Sequence, residues 1–195
     1  LQYAFGNNTN QITSFNDYDG PFRVDAPVML NIKAILKDRK PSRMVTLPVE
    51  LLNDQNGLRK KTFLGEWENC DQMVKESPIE ESLSFDFSID EERENNFGHS
   101  FLGYIKIDQD GLYEFQTSSD DGSRLYINGF PVVQNDGLHG REVASGDIPL
   151  EIGLHEIKLD YFERGGQQSL NVKWKGPGFD WRDIPSFKLF KTNEH

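Results

Sequence analysis

The sequence predicts an all-β protein: an antiparallel β-sandwich preceded by a small β-sheet module. Three observations carry this. Apolar and polar residues alternate over short runs, the period of a half-buried strand. Clusters of Asp, Asn and Gly separate those runs. No segment sustains the 3.6-residue apolar period of a long helix.

The elements follow in order. Leu1-Gln2-Tyr3-Ala4-Phe5 reads as a strand, and residues 6–16 form a polar loop. Residues 20–24, 29–36 and 43–52 complete the module, with Leu30, Ile32, Ala34 and Leu36 on one face. This places the module at 1–52, a polar linker at 53–56 and the sandwich at 57–195. Within the sandwich a short helix is expected near Asp71 to Lys75. Phe85, Phe87 and Ile89 alternate with Asp86 and Ser88 as a strand would. Residues 102–107 form a strand closed by the turn Asp108-Gln109-Asp110-Gly111. Tyr113, Phe115 and Thr117 share one face of the next. Residues 125–127 and 131–133 flank Asn128-Gly129, a type I′ hairpin signal because both turn positions need positive φ. Ile157, Leu159 and Tyr161, then Leu170, Val172 and Trp174, mark two further strands.

Composition narrows the function. The 195 residues can bury a real core, and 36% hydrophobic with 27% charged residues is globular. No apolar run approaches the ~20 residues of a membrane span. With 21 basic and 32 acidic residues the formal net charge is -11. That argues against nucleic acid or an anionic membrane surface as partner, and is compatible with cations and neutral ligands such as sugars. Cys70 is alone, so no internal disulfide forms, and it reads as a small buried hydrophobe. The start at Leu1 is that expected of a mature protein or an excised fragment.

The candidate site is Asp120-Asp121, between two strands. Adjacent side chains on a regular strand point to opposite faces, so two neighbouring carboxylates converge only where the backbone is irregular. Two readings stay open: a metal site, or a turn in which Asp120 caps backbone N–H groups and Asp121 pairs with Arg124. His139, on a Gly-flanked loop, is a candidate sugar-binding residue, with a structural hydrogen bond as its plainer role. His99, His155 and the terminal His195 read as structural. Trp67, Trp174 and Trp181 could stack on sugar rings. Trp174 alternates with Val172 and Leu170 and so belongs to the core, leaving Trp181 as the candidate exposed aromatic. Acidic pairs are unavoidable among 32 carboxylates and do not by themselves make a glycosidase. No nucleophile elbow or phosphate loop is present, so no catalytic residue is assigned.

Residues 57–190 resemble the protective-antigen-type domain, a β-sandwich named after a fragment of anthrax protective antigen. The resemblance runs through Gly65-Glu66-Trp67, Phe101-Leu102-Gly103-Tyr104, Asp110-Gly111-Leu112-Tyr113, Ser119-Asp120-Asp121-Gly122-Ser123, Asn135-Asp136-Gly137-Leu138-His139-Gly140, Gly153-Leu154-His155 and Trp174-Lys175-Gly176-Pro177-Gly178. It implies a non-catalytic, carbohydrate-associated module of glycosidases, adhesins or toxins. In the family's fungal adhesins, two neighbouring Asp residues joined by a cis peptide hold calcium, which binds sugar hydroxyls. Asp120 and Asp121 match that pair. The adhesins add an Asn from a second loop; here that loop, 163–168, has none, and Glu163 or a backbone carbonyl takes its place. The resemblance therefore gives Asp120, Asp121 and Glu163 as metal ligands, calcium as the ion, and Asp120 and Asp121 as sugar-binding residues; His139 and Trp181 join them as sugar-binding candidates on the residue reading above.

Residues 1–52 resemble part of the module at the C-terminal end of chitobiases and β-hexosaminidases, through Tyr3-Ala4-Phe5-Gly6-Asn7-Asn8-Thr9-Asn10 and Tyr18-Asp19-Gly20-Pro21-Phe22. This implies an accessory region of a longer secreted, periplasmic or cell-surface bacterial glycoside hydrolase, a β-N-acetylhexosaminidase being the expected parent. The region would bind glycan or position the catalytic domain. The alternatives are a calcium-dependent adhesin-like lectin and a structural spacer without ligand.

Overall fold

The computed structural model describes residues 1–6, 14–22, 24, 28–49, 51–89 and 92–191. The loop residues 7–10, residues 90–91 and His195 lie outside them. The regular structure of the described residues is almost wholly strand, in two compact units, Leu1–Asn53 and Asp54–His195. No described helix is long and apolar enough to cross a membrane.

The first unit is one antiparallel sheet. Strands β1 (Gln2–Phe5), β2 (Asn16–Asp17), β3 (Val28–Lys33) and β4 (Val45–Val49) lie in the order β2-β1-β3-β4. Tyr3 stacks on Phe22 with ring centroids 4.5 Å apart. Phe22 belongs to the stretch expected as a strand over 20–24, and its described residues are not strand. Gly20 has φ +153° and Pro21 lacks an N–H, so the ladder cannot continue there.

The second unit is a sandwich. One sheet contains β5 (Leu58–Leu64), β6 (Glu80–Ser84), β7 (Phe97–Ile107), β9 (Ser123–Ile127), β10 (Phe130–Asn135), β12 (Gly153–Glu163) and β15 (Leu189–Phe190). Its order is β10-β9-β12-β7-β5-β6, with β15 also on β7. The other contains β8 (Gly111–Asp120), β11 (Glu142–Leu150), β13 (Ser169–Gly176) and β14 (Phe179–Asp183), in the order β11-β8-β13-β14. All pairings are antiparallel.

The expected alternation builds the core between these sheets. Phe97, Phe101 and Ile105 of β7, with Ile157, Leu159 and Tyr161 of β12, face Tyr113 and Phe115 of β8 and Val172 and Trp174 of β13, all buried. Each large side chain so buried contributes about 1.5–3 kcal/mol. A smaller cluster lies on the outer face of the seven-stranded sheet, where the helix α1 (Cys70–Met73) covers Phe63 and Phe162. Asn69 caps α1 by accepting the Gln72 N–H at 3.0 Å.

Phe85, Phe87 and Ile89 do not form the expected strand; β6 ends at Ser84. Ser84 Oγ donates to the Asp86 carbonyl at 2.8 Å, and Asp86 Oδ1 accepts the Ser88 N–H at 2.8 Å, turning the chain out of the sheet. At the hairpin between β9 and β10, Asn128 and Gly129 have φ of 51° and 78°, as a type I′ turn requires.

Candidate functional site

The site lies where β8 of one sheet and β12 of the other both end. Asp120 closes β8, Asp121 and Gly122 form the turn into β9, and Glu163 closes β12. The Asp120–Asp121 peptide bond is cis. A carboxylate oxygen of each of Asp120, Asp121 and Glu163 lies within 4.8 Å of the other two.

Backbone and hydroxyl contacts hold this turn. The Asp121 N–H donates to Glu163 Oε2 at 3.1 Å. Asp121 accepts the His139 N–H on Oδ1 and the Arg164 N–H on Oδ2, both at 3.0 Å. Tyr161 Oη donates to the Asp120 carbonyl at 2.7 Å, and the Phe162 N–H to the Gly122 carbonyl at 3.0 Å. A Cβ on Gly122 would stand 2.5 Å from the Phe162 ring and 2.9 Å from the Gly137 backbone, so the turn needs glycine for space. Beneath it, Asn135 Nδ2 donates to Ser119 Oγ at 2.9 Å and Ser123 Oγ to Thr117 Oγ1 at 3.0 Å, in a buried polar network.

The expected pairing of Asp121 with Arg124 does not form. Arg124 points behind the turn, 2.7 Å from Asp71 and 3.6 Å from Asp136, and close to the buried Asp160. Asp121 caps the backbone at two N–H groups, alongside Asp120, which accepts the Arg141 N–H. Asp120 is the half-buried member of the trio, while Asp121 and Glu163 are buried beneath it.

Electrostatically the trio is under-compensated. Burial, then the charges of Asp121 and Asp120, push the Glu163 carboxyl up to about 7. Burial and Asp121 raise Asp120 as well, against the opposing pull of His139 and the Arg141 N–H. Glu163 Oε1 has no hydrogen-bond partner of acceptable geometry among the described residues. A buried carboxylate oxygen without a donor, beside two more carboxylates, is a set of hard oxygen donors suited to a cation.

A polar cleft of about 560 Å³ opens beside Asp120, lined by Glu94, Asn95, Arg141, Gln167 and Gln168 among others. Asn95 Oδ1 accepts the Gly166 N–H at 3.1 Å, so an asparagine from a different loop pins the loop after Glu163. Arg141 Nε donates to Ser118 Oγ at 3.0 Å. Sequence reasoning did not find Asn95 or Arg141, because each comes from a loop with no local motif.

His139 reaches the site through its backbone. Its ring nitrogens lie 2.8 Å from the Gly140 carbonyl and 3.1 Å from the Asn135 carbonyl, so neither is turned to a metal. Two carbonyl partners require both nitrogens to donate, which favours the charged ring; these contacts raise its pKa despite burial. Trp181 is not brought to the site. It lies on β14 beyond the far half of β13, whereas Asp120 pairs with Ser169 at the near end. The offset is about six residues, roughly 20 Å of strand. Trp181 is half-buried, with Lys175 Nζ 4.9 Å from its ring centroid. Trp174 stacks on Tyr113 in the core, as its alternation predicts, and Trp67 is buried with α1.

Comparison with known proteins agrees with this architecture. The anti-sigma-I factor RsgI3 of Acetivibrio thermocellus is 27% identical over 143 residues, covering 70% of this chain and 22% of that protein's length. The PA14 domain of the antifreeze protein MpAFP superposes with a TM-score of 0.61 at 17% identity, covering 75% of this chain and 97% of that one. The PA14 sugar-binding domain from an RTX adhesin superposes with a TM-score of 0.58 at 19% identity, covering 71% and 99%. Residues 54–186, more than half of the chain, match the family profile of the PA14 domain, and the chain belongs to that family.

Proposed function

We propose that the sandwich is a calcium-dependent glycan-binding module of a longer secreted or cell-surface protein. The observation that carries this is the meeting of Asp120, Asp121 and Glu163 within 4.8 Å at the edge of a polar cleft, with Glu163 Oε1 buried and without a well-formed hydrogen bond among the described residues. Calcium takes six to eight oxygens at about 2.3–2.6 Å, and vicinal sugar hydroxyls can supply those the protein does not. In this reading Asp121 and Glu163 form the buried floor, and Asp120 presents the cleft-facing edge. Gln167, Gln168 and Arg141 would offer hydrogen bonds to the remaining hydroxyls. The sugar-binding RTX adhesin domain, which shares the fold, supports the assignment. The resemblance of residues 1–52 to chitobiase tails supports a secreted glycoside hydrolase, a β-N-acetylhexosaminidase, as the parent whose catalytic domain the module serves.

The test is a glycan array probed with the whole chain in calcium and again in EDTA. Sugar signals that vanish in EDTA and in Asp120→Asn are expected. Failure to retain any glycan in calcium removes the reading and leaves a structural spacer.

A further inference from the structure

The outer face of the seven-stranded sheet carries a second concavity, remote from the strand ends that form the carboxylate site. Arg59 and Lys61 project from β5, and Lys158 from β12, with Leu102 of β7 between them. Arg59 and Lys158 are both direct neighbours of Leu102 in the register, one on each side. At a strand spacing of about 4.8 Å their backbones stand roughly 10 Å apart, and two long side chains span that gap. Val74 and Pro78, from the chain after α1, form an apolar wall, and the cleft holds about 230 Å³.

The charges here are unusual for a chain of net charge -11. Lys61 is held by Glu81 at 3.1 Å, and Lys158 by the buried Asp160 at 2.9 Å. Asp160 is itself fixed by Ser100 Oγ at 2.7 Å. Arg59 makes no ion pair among the described residues, and its buried Nε has no hydrogen-bond partner. Only Glu76 adds a carboxylate to the lining. A guanidinium offers a planar fork matched to the paired oxygens of a carboxylate or sulfate. The apolar wall lowers the local dielectric and strengthens such a pair.

We propose that this cleft is a second, metal-independent site that binds a small oxyanion, the carboxylate or sulfate of an acidic sugar. Arg59 grips two oxygens, Lys158 closes from the other side, and Leu102 with Val74 and Pro78 takes the apolar face of the ring. The volume admits one such residue rather than a chain.

The test is an NMR titration of the isotope-labelled chain in EDTA, so that the carboxylate site does not contribute. Sodium glucuronate and sodium sulfate are the two probes, with glucose as the neutral control. Saturable amide shifts confined to the strands bearing Arg59, Leu102 and Lys158 are expected. Saturation by glucuronate alone identifies the carboxylate as the ligand group, and saturation by sulfate alone identifies the sulfate group. Arg59→Gln and Lys158→Gln should each weaken binding by about tenfold, the loss of one charge-assisted contact. Shifts with neither anion overturn the proposal on the wild-type chain alone. So do shifts of equal size with glucose, or shifts unchanged in both variants while their spectra remain dispersed.

Discussion

Replacing Glu163 by glutamine should stabilise the metal-free protein at alkaline pH while abolishing its response to calcium. The carboxyl is raised from its ordinary value of 4.5 to about 7 by burial and by two carboxylates. The folded state therefore keeps a proton that the unfolded chain releases above about pH 4.5. This group's contribution to stability is full below that pH, declines as pH rises through 7, and is lost above it. The interval corresponds to at most about 3 kcal/mol. Two charges 4.8 Å apart at an effective dielectric near 20 repel by about 3 kcal/mol, the same order. Glutamine keeps an oxygen to accept the Asp121 N–H but carries no charge. At pH 8 in EDTA, Glu163→Gln should melt above wild type by up to roughly 6–12 °C, at about 2–4 °C per kcal/mol for a chain of this size. At pH 4 the two should coincide. Calcium at a hundredfold excess over Kd should stabilise the wild type by about 2.7 kcal/mol, raising its Tm, and leave the variant unmoved. Differential scanning fluorimetry across pH, with and without calcium, reads all four conditions. A variant less stable than wild type at pH 8 in EDTA would refute the reasoning, because Glu163 would then have compensation that the geometry does not show.

Three further outcomes follow from the same contacts. Gly122→Ala forces a methyl against the Gly137 backbone and the Phe162 ring, and should lose about 1–3 kcal/mol in urea unfolding. Arg124→Met removes one of the two cations beside the fully buried Asp160, which keeps Lys158 and Ser100, and should lose about 1–3 kcal/mol by the same assay, whereas Asp71→Asn, at the exposed end of that network, should lose under about 1 kcal/mol. Asp121→Ala frees the His139 and Arg164 N–H groups as well as removing a proposed ligand, so it should reduce both the melting temperature in EDTA and the calcium response; Asp120→Asn should reduce chiefly the latter.

The strands that were legible in the sequence are those with one buried face. Tyr113, Phe115 and Thr117, or Ile157, Leu159 and Tyr161, alternate because their other face meets solvent or polar neighbours. β7 begins at Phe97, earlier than its alternation suggests, because its first five residues are buried on both faces. β11 alternates too, with Ala144, Ile148 and Leu150 packed on the core and Ser145, Asp147 and Pro149 exposed, but Gly146, pressed against the Val132 carbonyl, and Pro149 in its ladder blunt the signal of this edge strand. Phe85, Phe87 and Ile89 mimic a strand, but the Ser84 and Asp86 side chains bond the backbone first. In the site, Asp120 and Asp121 stood out as adjacent carboxylates, and Glu163 followed from the second loop. Asn95 and Arg141 were invisible because only the folded sandwich brings their loops beside β8. Trp181 carried the composition of a sugar platform, but its place along β14 puts it far from the carboxylates.

The most direct test of the calcium site is a calorimetric titration of the whole chain with calcium at pH 7.5, repeated in two buffers of different ionisation enthalpy. One ion per chain is expected, with partial proton release as the Glu163 carboxyl ionises on binding, and no binding in Glu163→Gln. Absence of binding heat in both buffers, or an isotherm unchanged by Glu163→Gln, would contradict the assignment of Asp120, Asp121 and Glu163 as a cation site.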